Sequence, residues 1–225
     1  MGIEEIDAAF GSVPHAIIGA VAANRFMPAR QTMDIDFAIA QRDVAVASET
    51  LLAAGWHMQH DLVVRPPLAG VAWQSADDQP IDVIIVPGRW GEALVDSAMT
   101  NRADGLPMAS LPHLVILKMI AGRTTDAGDV ARMLGHQDAL TLEAVRTVAR
   151  RVLQEPELAD LDQLIELGRL EYLGPHMEGP VGVQDTPDSS RGRNRGPRAP
   201  EALGADLVVL RPRWASYLRV DGPRR

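Results

Sequence analysis

The run Arg30-Gln31-Thr32-Met33-Asp34-Ile35-Asp36-Phe37-Ala38-Ile39 decides how this chain folds. Polar and apolar residues alternate up to Phe37, the pattern of a half-buried strand, so residues 32–39 are read as one strand. Side chains two apart in a strand leave the same face, so Asp34 and Asp36 would project side by side. Two carboxylates held that close repel each other, and a cation between them relieves the repulsion. Oxygen donors of this type favour Mg²⁺ or Mn²⁺ over zinc. The plainer reading is that the two acids are only the polar face of an amphipathic strand.

Downstream, Ile81-Asp82-Val83-Ile84-Ile85-Val86 is β-branched and bounded by Pro80 and by Pro87-Gly88, the strongest strand signal in the chain. An acid inside such a run is costly to bury unless it is paired or metal-bound. If this strand lies beside the first, Asp34, Asp36 and Asp82 converge, and three carboxylates can hold two metal ions. If Asp82 instead sits at an exposed strand start, it is simply solvated. Upstream, residues 15–19 form a short apolar run ending in Gly19, read as a strand, and residues 20–26 read as a helix. Gly19-Ala20 at that turn would let backbone N–H groups approach a phosphate.

Between these segments, residues 43–54 read as a helix stopped by Gly55. Strands are expected at 56–60, 62–65 and 71–75, with a turn at 77–80. Helices are expected at 111–122, 126–134, 141–153 and 156–167, the last carrying a stripe of Leu158, Leu161, Leu164, Ile165 and Leu167. The fold class is therefore α/β (α+β), a small mixed sheet with flanking helices followed by a helical C-terminal half. Residues 1–110 make the α/β domain and 111–173 a helical region packed on it. Residues 174–225 are a Gly/Pro/Arg-rich tail whose composition predicts disorder.

The 225 residues contain no cysteine, which excludes disulfides and thiolate metal sites. Residues 1–180 carry 13 Lys/Arg against 25 Asp/Glu, and residues 181–225 carry 9 Arg against 5 Asp/Glu. An acidic body disfavours strong nucleic-acid binding, although the basic tail would supply contacts. Glu4, Glu5 and Asp7 near the start do not resemble a signal peptide, and no run is long enough to span a bilayer. A cytoplasmic protein without a membrane partner is expected. Phosphate-loop, dinucleotide-turn and serine-elbow motifs are absent, which disfavours the common ATPase, dehydrogenase and hydrolase classes.

Ile18-Gly19-Ala20, Asp34-Ile35-Asp36 and Ile81-Asp82-Val83, in this order, resemble the signature of the polymerase-β-type nucleotidyltransferase superfamily. Arg30-Gln31-Thr32-Met33-Asp34-Ile35-Asp36 and the stretch from Lys118 through Arg123 and Asp126 to Asp129 are similar to AbiEii-type toxins and related bacterial minimal nucleotidyltransferases. The resemblance covers roughly residues 14–135. It implies a nucleotidyltransferase fold and transfer of a nucleoside monophosphate from a nucleoside triphosphate (NTP) to a hydroxyl of RNA, protein or a small molecule, with Mg²⁺ or Mn²⁺, and a possible cognate antitoxin. It implies that Asp34 and Asp36 bind metal, and that Asp82 binds metal and helps deprotonate the acceptor. Gly19 and Ala20 would position phosphates, Lys118 would contact one, and Arg30 and Thr32 would brace the loop. Ala20 departs from the Gly-Gly or Gly-Ser pair of the family, which motivates an alternative: a catalytically silent binding or regulatory protein.

Several of these residues also have plain structural readings. Lys118 would extend to solvent. Asp126 and Asp129 would be the N-cap and third-position acids of a helix, with Arg123 pairing with one of them. His57 and His60 would lie on opposite faces of a strand, which disfavours a zinc site.

Overall fold

The alternation around Asp36 builds the centre of a five-stranded mixed sheet. The computed structural model describes residues 2–32 and 34–173. In chain order its elements are α1 (Ile3–Ala9), β1 (His15–Ile17), α2 (Gly19–Ala23), β2 (Asp36–Ala40), a 3-10 turn (Gln41–Asp43), α3 (Val44–Ala53), β3 (His57–Asp61), β4 (Ala69–Gln74), β5 (Pro80–Val86), α4 (Gly88–Thr100), α5 (Leu111–Ala121), α6 (Thr124–Leu134), α7 (Ala139–Ala149) and α8 (Glu155–Leu173). The strand order is β1-β2-β5-β4-β3. Among the described strands only β2 and β5 run parallel, while the other neighbours are antiparallel. A mixed sheet with flanking helices and a helical C-terminal half is the fold class expected from the sequence.

Period-two alternation sorts the sheet into two faces. Ile17, Phe37, Ile39, Ile81 and Val83 join Ile6 of α1, Phe10 just after it and Leu51 of α3 in one core. Ala16, Ala38, Ala40 and Val86 join the helical half in the other. Asp36 and Asp82 keep step with Ala38, Ala40, Ile84 and Val86, so the carboxylates share the face that the helical half covers. On that half, α8 crosses α6 at two glycines: a Cβ on Gly168 would strike Ala131 O, and one on Gly135 the backbone of Gly168.

Several sequence expectations are corrected. The strand expected over 32–39 begins only at Asp36, because its antiparallel partner β1 ends at Ile17, paired with Phe37. Residues 62–65 form no strand: Leu62 N–H reaches Gly70 O at 2.8 Å, after which the chain leaves the sheet edge. The helix expected over 20–26 is short and starts at Gly19. Helices α1 and α4 were not anticipated; Pro87-Gly88, read as a strand stop, is also the start of α4. Leu167, placed on the apolar stripe of α8, is 54% exposed, while Leu161, Leu164 and Ile165 are buried. The tail expected over 174–225 lies outside the described residues. Among the described residues no helix is long and apolar enough to cross a membrane.

Candidate functional site

Asp36 and Asp82 stand opposite each other in the parallel ladder of β2 and β5. Adjacent strands are about 4.8 Å apart, so two side chains in register on one face are immediate neighbours. Backbone hydrogen bonds fix both ends of this arrangement. Ile18 N–H donates to Asp36 O at 2.8 Å, and Asp82 N–H donates to Ile35 O at 3.2 Å. The chain then turns at Gly19, whose φ is +63°. A Cβ on Gly19 would collide with Asp36 Oδ2, so the carboxylate lies against a bare Cα. Ala20 is an ordinary helical residue of α2 and is buried; the need for glycine falls on Gly19 alone.

Both carboxyls are held above the usual carboxylate range. For Asp36 the cause is burial, then repulsion from Asp82, against the pull of Arg123, with Asp34 adding repulsion and Lys118 a weaker pull. For Asp82 it is burial, then repulsion from Asp34, opposed by His60 and Arg123. Among the described residues neither carboxylate has a salt-bridge partner in contact. Two adjacent, half-desolvated carboxylates with no cation in contact are a donor set that fits a hard divalent cation.

Asp34 does not share the strand. It lies exposed in the loop before β2, so the same-face argument made for it does not apply, although its charge is felt by both other acids. Among the described residues no group of three or more His, Asp or Glu is gathered into a cluster that could hold a metal ion. The loop carrying Asp34 is tied down from within. Asn24 Nδ2 donates to Arg30 O at 2.9 Å, and Arg30 N–H donates to Asn24 Oδ1 at 3.1 Å. Thr32 Oγ1 donates to Asp34 O at 3.1 Å.

The carboxylates open into a cavity of about 360 Å³. Gly19, Asp36, Asp82, Arg65 and Arg123 make its polar rim, and Leu62, Val64, Leu68, Ile84, Leu114 and Leu117 are among its apolar walls. The misread stretch 62–65 thus serves as a cavity wall.

Beside the cavity lies a buried ionic cluster. Lys118 Nζ donates to Asp126 Oδ1 at 3.2 Å and to Asp129 Oδ2 at 2.7 Å. Arg30 reaches Asp129 Oδ2 at 3.1 Å, and Arg123 Nε reaches Asp126 Oδ2 at 2.8 Å. Lys118 is only 7% exposed, so the expected extension to solvent is overturned: two acids on α6 enclose it. The capping expectation is also revised. The residue before α6 is Arg123, and Asp126, in the third helical position, accepts its backbone N–H at 3.2 Å. Asp129 lies deeper in α6 and takes no part in the cap.

The sequence reading missed Arg65 as a site residue, treated Arg123 only as a pairing partner, and put His57 and His60 on opposite faces of a strand. A bulge between Met58 and His60 brings His57 and His60 opposite Gln74 and Ala72 on β4, so the two histidines share a face and do not lie on opposite faces. Ala72 is in turn opposite Asp82. His60 therefore ends a row that crosses the sheet from Asp36 through Asp82 and Ala72. No local signal announces such a bulge.

No protein-family model and no curated protein matches the chain. Among solved structures it is similar to a crystal structure of ANT(2'')-Ia in complex with adenylyl-2''-tobramycin, at 15% identity over 76% of this chain and 96% of that one, with a TM-score of 0.43. It is also similar to a solution structure of the antibiotic-resistance factor ANT(2'')-Ia, at 15% identity over 76% of this chain and 90% of that one, with a TM-score of 0.41.

Proposed function

We propose that the chain is a divalent-metal-dependent nucleotidyltransferase. In this reaction the acceptor oxygen forms a bond to the α-phosphorus of an NTP. The bond from that phosphorus to the bridging oxygen breaks, pyrophosphate leaves with the electron pair, and the acceptor hydroxyl gives up its proton. The observation that carries the reading is the Asp36–Asp82 pair, in register on parallel strands, backed by a side-chain-free Gly19 and opening into the cavity.

In this reading Asp36 and Asp82 hold Mg²⁺ or Mn²⁺, with Asp34 contributing from its loop. The bound ion supplies positive charge where the phosphates gather negative charge. Asp82 also helps take the acceptor proton. Gly19 leaves room for the Asp36 carboxylate and, at the turn into α2, positions the phosphates, and Arg30 and Thr32 brace the loop that carries Asp34. The likeness to AbiEii-type toxins in the sequence makes hydroxyls of RNA and protein the first acceptors to test, with a small-molecule acceptor next and a cognate antitoxin as partner. Ala20 gives the silent alternative less weight, because a helical position does not require glycine.

The test incubates the protein with Mg²⁺, each α-labelled NTP and total RNA or protein. Label should move to an acceptor with the wild type and not with Asp36→Asn or Asp82→Asn, all three showing cooperative thermal unfolding. Equal transfer by the Asp36→Asn variant would refute the reading.

A further inference from the structure

The family resemblance offers Lys118 to a phosphate, but its Nζ is held between Asp126 and Asp129, and it does not line the cavity. Two other cations do: Arg65, from the loop after β3, and Arg123, at the junction of α5 and α6. Both are exposed. Gly122 brings them together. It closes α5 in the left-handed conformation, with φ +65°, and Arg123 follows it directly. A Cβ on Gly122 would stand 2.9 Å from Arg65 Nη1. The guanidinium of Arg65 therefore lies against the bare end of α5, at the residue that precedes Arg123.

Arg123 is oriented rather than loose. Asp126 accepts from its Nε at 2.8 Å and from its Nη2 at 3.4 Å, and also caps its backbone N–H. The buried cluster contains three cations, Arg30, Lys118 and Arg123, against two acids, Asp126 and Asp129. Of these three cations Arg123 is the one that lines the cavity, and it is close enough to Asp36 and Asp82 to pull on both.

We infer that Arg65 and Arg123 form a clamp for the polyphosphate group of the nucleotide, on the same cavity rim as Asp36 and Asp82. The inference rests on the nucleotidyl-transfer reading above. Guanidinium groups present planar, bidentate donors matched to phosphate oxygens. The rest of the cavity wall is apolar or acidic, so these two side chains are the lining groups that meet a polyanion with positive charge.

The experiment is calorimetry on the full chain with Mg²⁺, titrating ATP, GTP, CTP and UTP separately, and inorganic tripolyphosphate as a second probe. Arg65→Gln, and Arg123→Lys, which keeps the charge but loses the fork, should each weaken the bound triphosphate by about tenfold or more, the scale of a charged hydrogen bond. Gly122→Ala should weaken it in the same direction by displacing Arg65. Because it acts through Arg65, it should add nothing in the Arg65→Gln background. Thermal melts of each variant identify any loss of fold, and the Arg65 variants, on an exposed loop, keep the test decisive if changes at 122 or 123 unfold the chain. Triphosphate binding that Arg65→Gln leaves unchanged overturns the clamp while leaving the transfer reading intact. Tripolyphosphate bound through the arginines, with no NTP bound, supports the clamp and refutes transfer. A wild type that binds none of the probes overturns both.

Discussion

Asp82 pairs in register with Asp36 across parallel strands, and each raises the cost of ionising the site. The chain thus keeps two acids where burial and mutual repulsion oppose charge. That arrangement makes sense for a site that receives a cation, and it has a consequence for stability.

A carboxyl whose pKa is higher in the folded than in the unfolded chain favours folding below its ordinary value, near 3.8, and loses that contribution as pH rises through the higher folded value. At neutral pH Asp36 and Asp82 therefore destabilise the fold. Asp36→Asn and Asp82→Asn should raise the melting temperature at pH 7, by about 2–4 °C for each kcal/mol of repulsion relieved in a domain of this size. The gain should shrink toward pH 4. Mg²⁺ should stabilise the wild type more than either variant. Scanning calorimetry at pH 4 and pH 7, with and without Mg²⁺, checks this; a lower melting temperature for both variants at pH 7 would show that the two acids support the fold.

Gly19→Ala is expected to be far more damaging than its size suggests. The new Cβ meets the Asp36 carboxylate, and the backbone sits at φ +63°. The left-handed conformation alone costs an L-residue about 1–2 kcal/mol. Moving the Asp36 side chain should also abolish metal-dependent stabilisation. By contrast, Ala20→Gly and Ala20→Ser should leave the fold near wild type, with Ala20→Gly costing about 1 kcal/mol as a helical glycine. Urea denaturation of the three variants separates these cases. If Gly19→Ala proved as stable as wild type and still responded to Mg²⁺, the close approach would not matter.

How much of this was legible beforehand depends on range. Asp36 and Asp82 could be found because the alternation around one and the β-branched run around the other are local signals. The place of Asp34 could not, because β2 starts where its partner β1 stops, and that boundary is set by a distant segment. Leu62, Val63 and Val64 have the propensity of a strand, but after the one bond from Leu62 N–H to Gly70 O the chain leaves the sheet edge, so they line a cavity instead. Arg65 and Arg123 are far apart in the chain and line the same cavity because Arg65 packs against Gly122, which has no side chain. A single lysine in an apolar helix reads as one that reaches solvent; what encloses Lys118 are acids eight and eleven residues further on.

Lys118 itself should be a structural cation. Asp126 and Asp129 are each only 2% exposed, and among the described residues Lys118 is the one cation that bonds both. Replacing it with Met leaves two buried carboxylates. Each keeps one arginine, Arg123 or Arg30, with side chains 75% and 44% exposed. The loss should therefore fall at the low end of the range for breaking a buried pair, about 3 kcal/mol, or about 6–12 °C in melting temperature. Asp129→Asn should be partly rescuing in the Lys118→Met background, since it removes a charge that no longer has its inner partner, and the double-mutant cycle should show coupling of about 0.5–3 kcal/mol. Below its melting temperature Lys118→Met should still bind triphosphate, because the cations on the cavity rim are intact. A Lys118→Met protein that melts like the wild type yet binds no triphosphate would move this lysine from the scaffold into the binding site.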